Sequence, residues 1–248
     1  MLIKDGGLVK TIQFENHKYI GDPINAVRIF NEKCVDELIV LDLDATVKGK
    51  NPNLNMIENL ATECRMPLCY GGGIKTVEQI REIIELGVEK VSLSSAAIEN
   101  PNIVKNSAEI VGNQSIVVTL DVRKTNSDYY VYTQNGKNNT KLDPADVAKD
   151  FQSLGVGEIV INSIDCDGIM KGYDINLIEK IKDIVNIPIT VVGGAGTLSD
   201  IGKLFKEFGL IGACAGSLFV FKGVYRAVLI NYPTQKEKQQ LFDNIISL

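Results

Sequence analysis

Two glycine clusters follow apolar, strand-like runs, and each is followed at similar spacing by a segment that carries serine. Glycine has no Cβ, so backbone N–H groups there can approach an anion closely, and a serine hydroxyl near a helix start adds a donor. A lone glycine run also ends strands for packing reasons, but two copies at matching spacing favour anion binding. The sequence therefore predicts two phosphate sites: the first comprises Gly72, Gly73, Ser94 and Ser95, and the second comprises Asp167, Gly168, Gly193, Gly194, Gly216 and Ser217.

Asp121 and Lys10 are the predicted catalytic side chains. Asp121 ends the apolar run 115–120, where burial raises a carboxyl pKa toward general acid or base work. The alternative is a buried aspartate bonded to loop amides. Lys10 follows Gly6 and Gly7 in an early loop that could fold over a phosphate-bearing substrate as a lid, and the alternative is a solvated lysine.

A second charged group comprises Glu37, Lys90 and Glu158, each at the start of a predicted strand. The starts of parallel strands lie at the end of a barrel opposite to the phosphate loops. Their convergence on the barrel axis would form a ring of mixed charge across an opening. Exposed rim charges that make weak ion pairs are the alternative.

Strands and helices must alternate along the chain to position these residues, and the sequence has that pattern. Seven apolar β-rich runs are visible, and an eighth strand is expected at the N-terminus. Capping signals place helices between them, such as Thr76 and Gln79 ahead of the Ile80, Ile83 face. The predicted strands cover 38–43, 67–70, 90–93, 115–122, 158–162, 187–192 and 210–215, and a closing helix covers 235–248.

The two halves of the chain also resemble each other. The run 37–44 aligns with 158–165, and Gly71 to Ile74 align with Gly193 to Gly196. Because a half sheet would leave an exposed edge, this repeat predicts an α/β fold, a (β/α)8 TIM barrel of two (βα)4 halves forming one domain over residues 1–248. The chain begins at Met1 within the expected first strand, so that strand is predicted to be truncated, and the repeat places Leu2 where Asp121 stands.

Composition excludes several classes of function. A net charge of −5 and a pI near 5.1 provide no basic field, so neither nucleic acid nor a membrane surface is an expected partner. The five cysteines form no CxxC pair and the chain has one histidine, so no metal and no cofactor are predicted. No signal peptide and no apolar run of about 18 residues is visible, which predicts a cytoplasmic protein.

Several motifs together resemble the cyclase subunit of imidazole glycerol phosphate synthase, over essentially the whole chain. They are 4–10, Gly21-Asp22-Pro23, Asp36-Glu37-Leu38, Gly71-Gly72-Gly73-Ile74, Ser163-Ile164-Asp165, Asp167-Gly168, Gly172-Tyr173-Asp174 and Gly193-Gly194-Ala195-Gly196. The resemblance implies a barrel that takes ammonia from a glutaminase subunit docked at its bottom and uses it on a bisphosphate ribonucleotide. It also implies that Asp121 is the second catalytic aspartate, Lys10 the loop lysine, and Glu37, Lys90 and Glu158 members of a charged ammonia gate.

Two positions depart from the family pattern. Leu2 occupies the place of the first catalytic aspartate, and Asp44 stands where the family usually has threonine. The resemblance therefore leaves two functions open. One is the cyclase, a carbon–nitrogen lyase of histidine biosynthesis in a heterodimer with the glutaminase, with full activity in doubt. The other is a diverged, non-cyclising ammonia-delivery subunit for sugar amidation (acetamidino formation) in polysaccharide synthesis.

Overall fold

Eight parallel strands follow one another around a curled sheet in chain order in the computed structural model, which describes residues 1–246. Each pairs with the next in parallel register, from β1 with β2 to β7 with β8. The strands are β1 (Leu2–Lys4), β2 (Leu38–Asp42), β3 (Leu68–Gly71), β4 (Lys90–Leu93), β5 (Ile116–Thr125), β6 (Glu158–Ser163), β7 (Ile189–Val192) and β8 (Gly212–Ala213). This is the α/β barrel topology that the sequence predicts.

The two ends of this sheet have the shortest strands. β1 has three residues, and no ladder joins it to β8 within residues 1–246. β8 is shorter than the predicted run 210–215, because the Leu210 side chain is fully exposed and the strand begins only at Gly212. The sheet is therefore curled around an axis and open at one seam.

Helices follow the strands, and most of them begin at a residue whose side chain caps the helix. They are α1 (Pro23–Glu32), α2 (Leu43–Val47), α3 (Leu54–Glu63), α4 (Val77–Glu85), α5 (Ser95–Glu99), α6 (Asn102–Val111), α7 (Pro144–Ser153), α8 (Ile175–Lys182), α9 (Leu198–Phe208), α10 (Ser217–Val220) and α11 (Gln235–Ile246). The predicted closing helix is α11, and its last two predicted residues lie outside the described residues. No helix among residues 1–246 combines the length and the apolar character needed to cross a membrane.

The apolar residues form two layers. Between strands and helices, fully buried side chains such as Ile57, Ile80 and Ile159 belong to the main core. Inside the barrel, Cys69, Val117 and Val160 form a small separate cluster. Alternate residues of each strand face these two layers, which leaves strand ends free to carry polar groups into the barrel mouth.

The internal repeat is visible in local geometry. Capping boxes begin α4 and α9, with Thr76 and Gln79 in the first half and Thr197 and Asp200 in the second. Gly72 lies against the end of β2, and Gly193 lies in the same way against the end of β6. These equivalences correct the predicted alignment by one residue, since Gly72 and not Gly71 is the counterpart of Gly193.

Two β-hairpins extend from the carboxyl ends of β1 and β5. The first hairpin, residues 7–21, consists of strands Gly7–Ile12 and Glu15–Gly21. The second hairpin, residues 128–139, consists of strands Asp128–Thr133 and Asn138–Asn139 and continues the sheet from β5. Both hairpins lie at the end of the barrel that carries the glycine clusters.

The chain after β8 covers the seam side. A short hairpin pairs Phe221–Lys222 with Ala227–Val228. Beyond it, the Tyr232 hydroxyl donates to Asp36 at 2.7 Å and the Lys238 ammonium contacts the same carboxylate at 2.6 Å. These contacts attach the C-terminal segment to the turn that precedes β2.

Candidate functional site

One cavity of about 660 Å³ runs from the carboxyl ends of the strands toward their amino ends. It is lined by all of the residues of the two predicted phosphate sites, although the equivalent glycines Gly72 and Gly193 lie 121 positions apart in the chain. Its lining includes Gly72, Gly73, Ser94, Ser95, Asp167, Gly168, Gly193, Gly194, Gly216 and Ser217, together with Lys10 and Asp121. The fold therefore brings both glycine clusters and both predicted catalytic residues to a single cavity.

The first pocket lies between the β3 turn and the start of α5. Gly72 and Gly73 have φ values of +116° and +74°, a conformation that glycine adopts without strain. A Cβ on Gly72 would lie 2.4 Å from the Asp42 carbonyl oxygen, so no larger residue fits. Ser95 Oγ accepts a hydrogen bond from the Gln134 N–H at 3.0 Å, which leaves the hydroxyl hydrogen of Ser95 able to donate into the pocket.

The second pocket lies between the β7 turn and the start of α10. Gly193 and Gly194 again have positive φ, and a Cβ on Gly194 would lie 2.0 Å from the Gly172 carbonyl oxygen. The Lys10 ammonium lies directly against Gly216, where an added Cβ would be 2.1 Å from Nζ. The second pocket thus combines backbone donors with a buried cation.

Asp167 and Gly168 connect this pocket to the first hairpin. Asp167 accepts hydrogen bonds from the Thr11 hydroxyl at 2.6 Å and from the Phe14 N–H at 3.2 Å. Gly168 packs against the Thr11 carbonyl oxygen so closely that a Cβ would lie 2.2 Å from it. Both residues therefore hold the first hairpin over the cavity.

Asp121 lies between the two pockets at the mouth of the barrel. Burial raises the pKa of its carboxyl to about 6, although hydrogen bonds from Asn162 and Ser94 favour the ionised form. Asn162 Nδ2 donates to Oδ1 at 2.8 Å and Ser94 Oγ donates to Oδ2 at 3.2 Å. A carboxyl with a pKa near neutrality can both take up and release a proton, which suits general acid or base catalysis.

Lys10 is buried, so the alternative of a solvated lysine is wrong. Burial lowers the pKa of its ammonium group, and the nearby charge of Asp167 opposes that effect. Its position on the first hairpin allows the ammonium to reach the second pocket when the hairpin is closed. The residue thus provides positive charge at one pocket only.

The charged residues at the opposite end of the barrel form one ion cluster. Lys90 Nζ lies 2.9 Å from Glu37 Oε1 and 2.9 Å from Glu158 Oε2, and Thr190 Oγ1 donates to Glu158 Oε1 at 2.6 Å. Burial acts against the charged form of Lys90, but its bonds to Glu158 and Glu37 outweigh burial and raise its pKa. The predicted convergence of these three side chains is present, and the exposed fraction of their side chains ranges from 13% for Glu158 to 39% for Glu37.

Asn162 and Thr190 are site residues that no motif in the sequence predicts. Asn162 pairs with Asp121 across parallel strands β6 and β5, so strand register could have indicated it. Asn135 and Gln134, on the turn of the second hairpin, also line the cavity. Nothing in a single hairpin turn indicates which pocket it will cover, because that depends on the direction in which the hairpin folds.

Leu2 occupies the position in the first half that corresponds to Asp121. Leu2 pairs with Leu41 between β1 and β2 in the same way that Asp121 pairs with Asn162 between β5 and β6. Both leucines line the cavity. The first half of the mouth is therefore apolar where the second half has a carboxyl and its amide partner.

Other reactive groups do not assemble into a further centre. Over residues 1–246, no group of three His, Cys, Asp or Glu side chains could hold a metal ion. All five cysteines are free thiols, and burial raises the pKa of the Cys69 thiol, which lies inside the barrel.

Comparisons with known proteins give a consistent result. The family model described as "Histidine biosynthesis protein" matches residues 1–226. The chain is 56% identical over 245 residues to a Vibrio vulnificus protein provisionally named imidazole glycerol phosphate synthase subunit hisF3, covering 98% of this chain and 94% of the relative. It is 55% identical over 244 residues to a Leptospira borgpetersenii protein with the similar provisional name of subunit HisF, covering 98% and 96%. It is also 42% identical over 227 residues to the imidazole glycerol phosphate synthase subunit HisF of Petrotoga mobilis, covering 91% and 89%. The chain belongs to the histidine biosynthesis protein family that includes the HisF subunits of imidazole glycerol phosphate synthase.

Proposed function

We propose that this chain is the cyclase-type subunit of an imidazole glycerol phosphate synthase-type complex, and that it uses ammonia on a substrate with a phosphate at each end. The observation that carries the proposal is the common cavity, in which two backbone-lined anion pockets flank one carboxyl with a raised pKa. Two pockets on one mouth fit a bisphosphate ribonucleotide, whose phosphates are far apart. The membership of the chain in the HisF-containing family supports the same substrate class.

Asp121 is the proposed general acid or base. Its pKa of about 6 lies close to neutral pH, where a group that exchanges protons with the substrate works best. Asn162 and Ser94 fix the orientation of the carboxyl through their hydrogen bonds. Lys10 is proposed to hold the phosphate of the second pocket and to close the first hairpin over it.

Ammonia is proposed to arrive from a glutaminase subunit at the opposite end of the barrel. The cluster of Glu37, Lys90 and Glu158 covers that end of the axis and would have to separate to let ammonia pass. Cys69 lies above the cluster and is uncharged, because burial raises its thiol pKa. A neutral interior suits the passage of neutral ammonia, since it offers no anion that would hold ammonium.

A second candidate function follows from one specific observation, the pair of Leu2 and Leu41. A proton-transfer step in the first half has no carboxyl at this position, and loss of a general acid or base costs about 10²–10⁴ in rate. A cyclase with only one such group would be slow. The same barrel could instead deliver ammonia to a separate enzyme that amidates a sugar in polysaccharide synthesis.

Turnover with an ammonium salt distinguishes these two functions. Purified chain is mixed with ammonium chloride and the bisphosphate ribonucleotide of the histidine pathway, and the loss of substrate absorbance is followed. The cyclase proposal expects turnover that falls about 10²–10⁴-fold in Asp121→Asn and is retained in the surface variant Asp183→Asn. Tight binding of the ribonucleotide without turnover would contradict cyclisation and favour ammonia delivery.

A further inference from the structure

The two hairpins meet above the cavity, and each covers the pocket of the other half. The first hairpin belongs to the first half, yet its Lys10 lies at Gly216 in the second pocket. The second hairpin belongs to the second half, yet its turn contacts Ser95 and Leu43 of the first half. The turns themselves touch, since a Cβ on Gly136 would lie 3.2 Å from the ring of Phe14.

The turn of the second hairpin has an unusual backbone. Gln134, Asn135 and Gly136 have φ values of +55°, +55° and +74°, so three successive residues are left-handed. Asparagine is among the few residues other than glycine that adopt this conformation readily. The turn projects the half-buried Asn135 side chain into the lining of the cavity.

The side-chain amide of Asn135 is held by one hydrogen bond, and one of its two N–H groups remains to donate. Its Nδ2 donates to the Leu43 carbonyl oxygen at 2.8 Å. A side-chain amide carries two N–H donors, so the second N–H of Asn135 remains available for a group bound in the cavity. The Ser95 hydroxyl, held by the Gln134 N–H, has a hydrogen available in the same pocket.

We propose that Asn135 is a binding residue of the first anion pocket and that its free amide N–H, beside Ser95, donates to the phosphate held by Gly72 and Gly73. It is the neutral counterpart of Lys10, which serves the second pocket. The two phosphates of one substrate would then be held by chemically different hairpins, one through an amide and one through an ammonium. This inference rests on the proposed use of both pockets for phosphate.

The test uses the conservative variant Asn135→Asp in the full chain. Aspartate also tolerates a left-handed backbone, but it replaces the amide donor by an anionic acceptor that faces both Leu43 and the phosphate. Asn138→Asp is the matched control, because Asn138 lies on the same hairpin, bonds to Thr133 at 3.1 Å and is exposed. Lys10→Ala reports separately on the second pocket.

Inorganic phosphate is the probe, and equilibrium dialysis measures the number of sites per chain. We expect two sites in the unaltered chain and in Asn138→Asp, and one site within the same concentration range in Asn135→Asp and in Lys10→Ala. At the affected pocket the affinity should fall about tenfold or more, as for loss of a hydrogen bond to a charged group. The Asn135→Asp, Lys10→Ala double variant should bind none in that range. A thermal unfolding midpoint that matches the Asn138→Asp control separates this loss from a folding defect.

The outcomes separate this inference from the proposed function. Two unchanged sites in Asn135→Asp would overturn the role of Asn135 and leave the proposed function standing. No phosphate binding by the unaltered chain would overturn both. A third outcome has two parts: each variant loses one of the two phosphate sites, and the unaltered chain neither binds nor converts the bisphosphate ribonucleotide. That outcome would support the role of Asn135 in phosphate binding and contradict the proposed function.

Discussion

The two halves of the barrel share their anion pockets but differ in their chemical side chains. Gly72 and Gly73 repeat as Gly193 and Gly194, all four with positive φ, and Gly72 and Gly193 each lie against the end of the neighbouring strand. At the mouth, by contrast, the second half has Asp121 bonded to Asn162, and the first half has a leucine pair in their place. Backbone geometry has therefore been kept in both copies, and side-chain chemistry has been concentrated in one.

The amino ends of the strands show a milder version of this difference. Glu37 and Glu158 are equivalent and share Lys90, which bonds to both carboxylates at 2.9 Å. The Thr190 hydroxyl donates to Glu158, and the residue equivalent to Thr190 in the first half is Cys69, a free thiol. The ion cluster thus takes one carboxylate from each half and its lysine from the first half, and Thr190 of the second half adds a supporting hydroxyl.

Replacing Asp121 should have the largest effect, because it removes the carboxyl that is proposed as the general acid or base. We expect Asp121→Asn to lower ammonia-dependent turnover about 10²–10⁴-fold while phosphate binding is retained. The measurement is steady-state kinetics at saturating ammonium. Asp183→Asn, at an exposed position after α8, is the matched control. Retained turnover in Asp121→Asn would place proton transfer elsewhere.

Replacing the leucine pair of the first half by polar side chains tests whether its apolar character limits the reaction. The double variant Leu2→Asp, Leu41→Asn supplies a carboxyl together with the amide partner that Asp121 has in Asn162. We expect ammonia-dependent cyclisation to rise about tenfold, which corresponds to about 1.4 kcal/mol of barrier. Leu2→Asp alone should gain less, since a buried carboxyl without a partner costs about 1–3 kcal/mol of stability. A double variant with no gain would show that the leucine pair does not limit the reaction.

Lys90 tests whether the shared ion cluster controls ammonia entry. In the complex with its glutaminase, Lys90→Ala should lower glutamine-dependent turnover about fivefold more than ammonia-dependent turnover, a difference of about 1 kcal/mol. The reason is that only ammonia released by the partner has to cross this end of the barrel. Parallel assays with glutamine and with ammonium chloride measure the ratio. Lys149→Ala, on the exposed surface of α7, is the control, and equal losses with both nitrogen sources would contradict a gate.

The pH dependence of stability tests the raised pKa of Asp121, and it concerns folding rather than turnover. The folded-state pKa of Asp121 is about 6, above the value of about 3.9 in an unfolded chain. Between these values the folded state binds more protons, so the contribution of Asp121 to stability falls as pH rises from about 4 to about 6. Asp121→Asn should therefore gain stability relative to the unaltered chain across that window, measured by urea unfolding at both ends of it. An unchanged difference would contradict the raised pKa.

Much of this architecture could be predicted from the residues. Six of the seven predicted strands agree with β2 to β7 to within about three residues, because apolar β-rich runs and capping signals are local features. The range predicted for β8, 210–215, is too long, because an apolar pattern alone does not show that the Leu210 side chain is exposed. The repeat predicted that Leu2 and Asp121 are equivalent, and strand register bears this out.

The partners of the site residues could not be predicted in the same way. Asn162 reaches Asp121 because β5 and β6 pair in a particular register, and Asn135 reaches the first pocket because its hairpin folds across the barrel mouth. Contacts such as Thr11 with Asp167 join residues 156 positions apart. The curling of the sheet brings these residues into contact, and nothing in the sequence around each residue indicates its partner.

Residue type and local spacing are enough to predict the order of strands and helices, the duplicated glycine turns and the equivalence of Leu2 with Asp121. The folded chain is needed to see that each hairpin lies over the pocket of the opposite half and that Lys10 is buried there. A parallel barrel brings the ends of distant strands together, and burial among those ends then sets the charge and the proton affinity of each group.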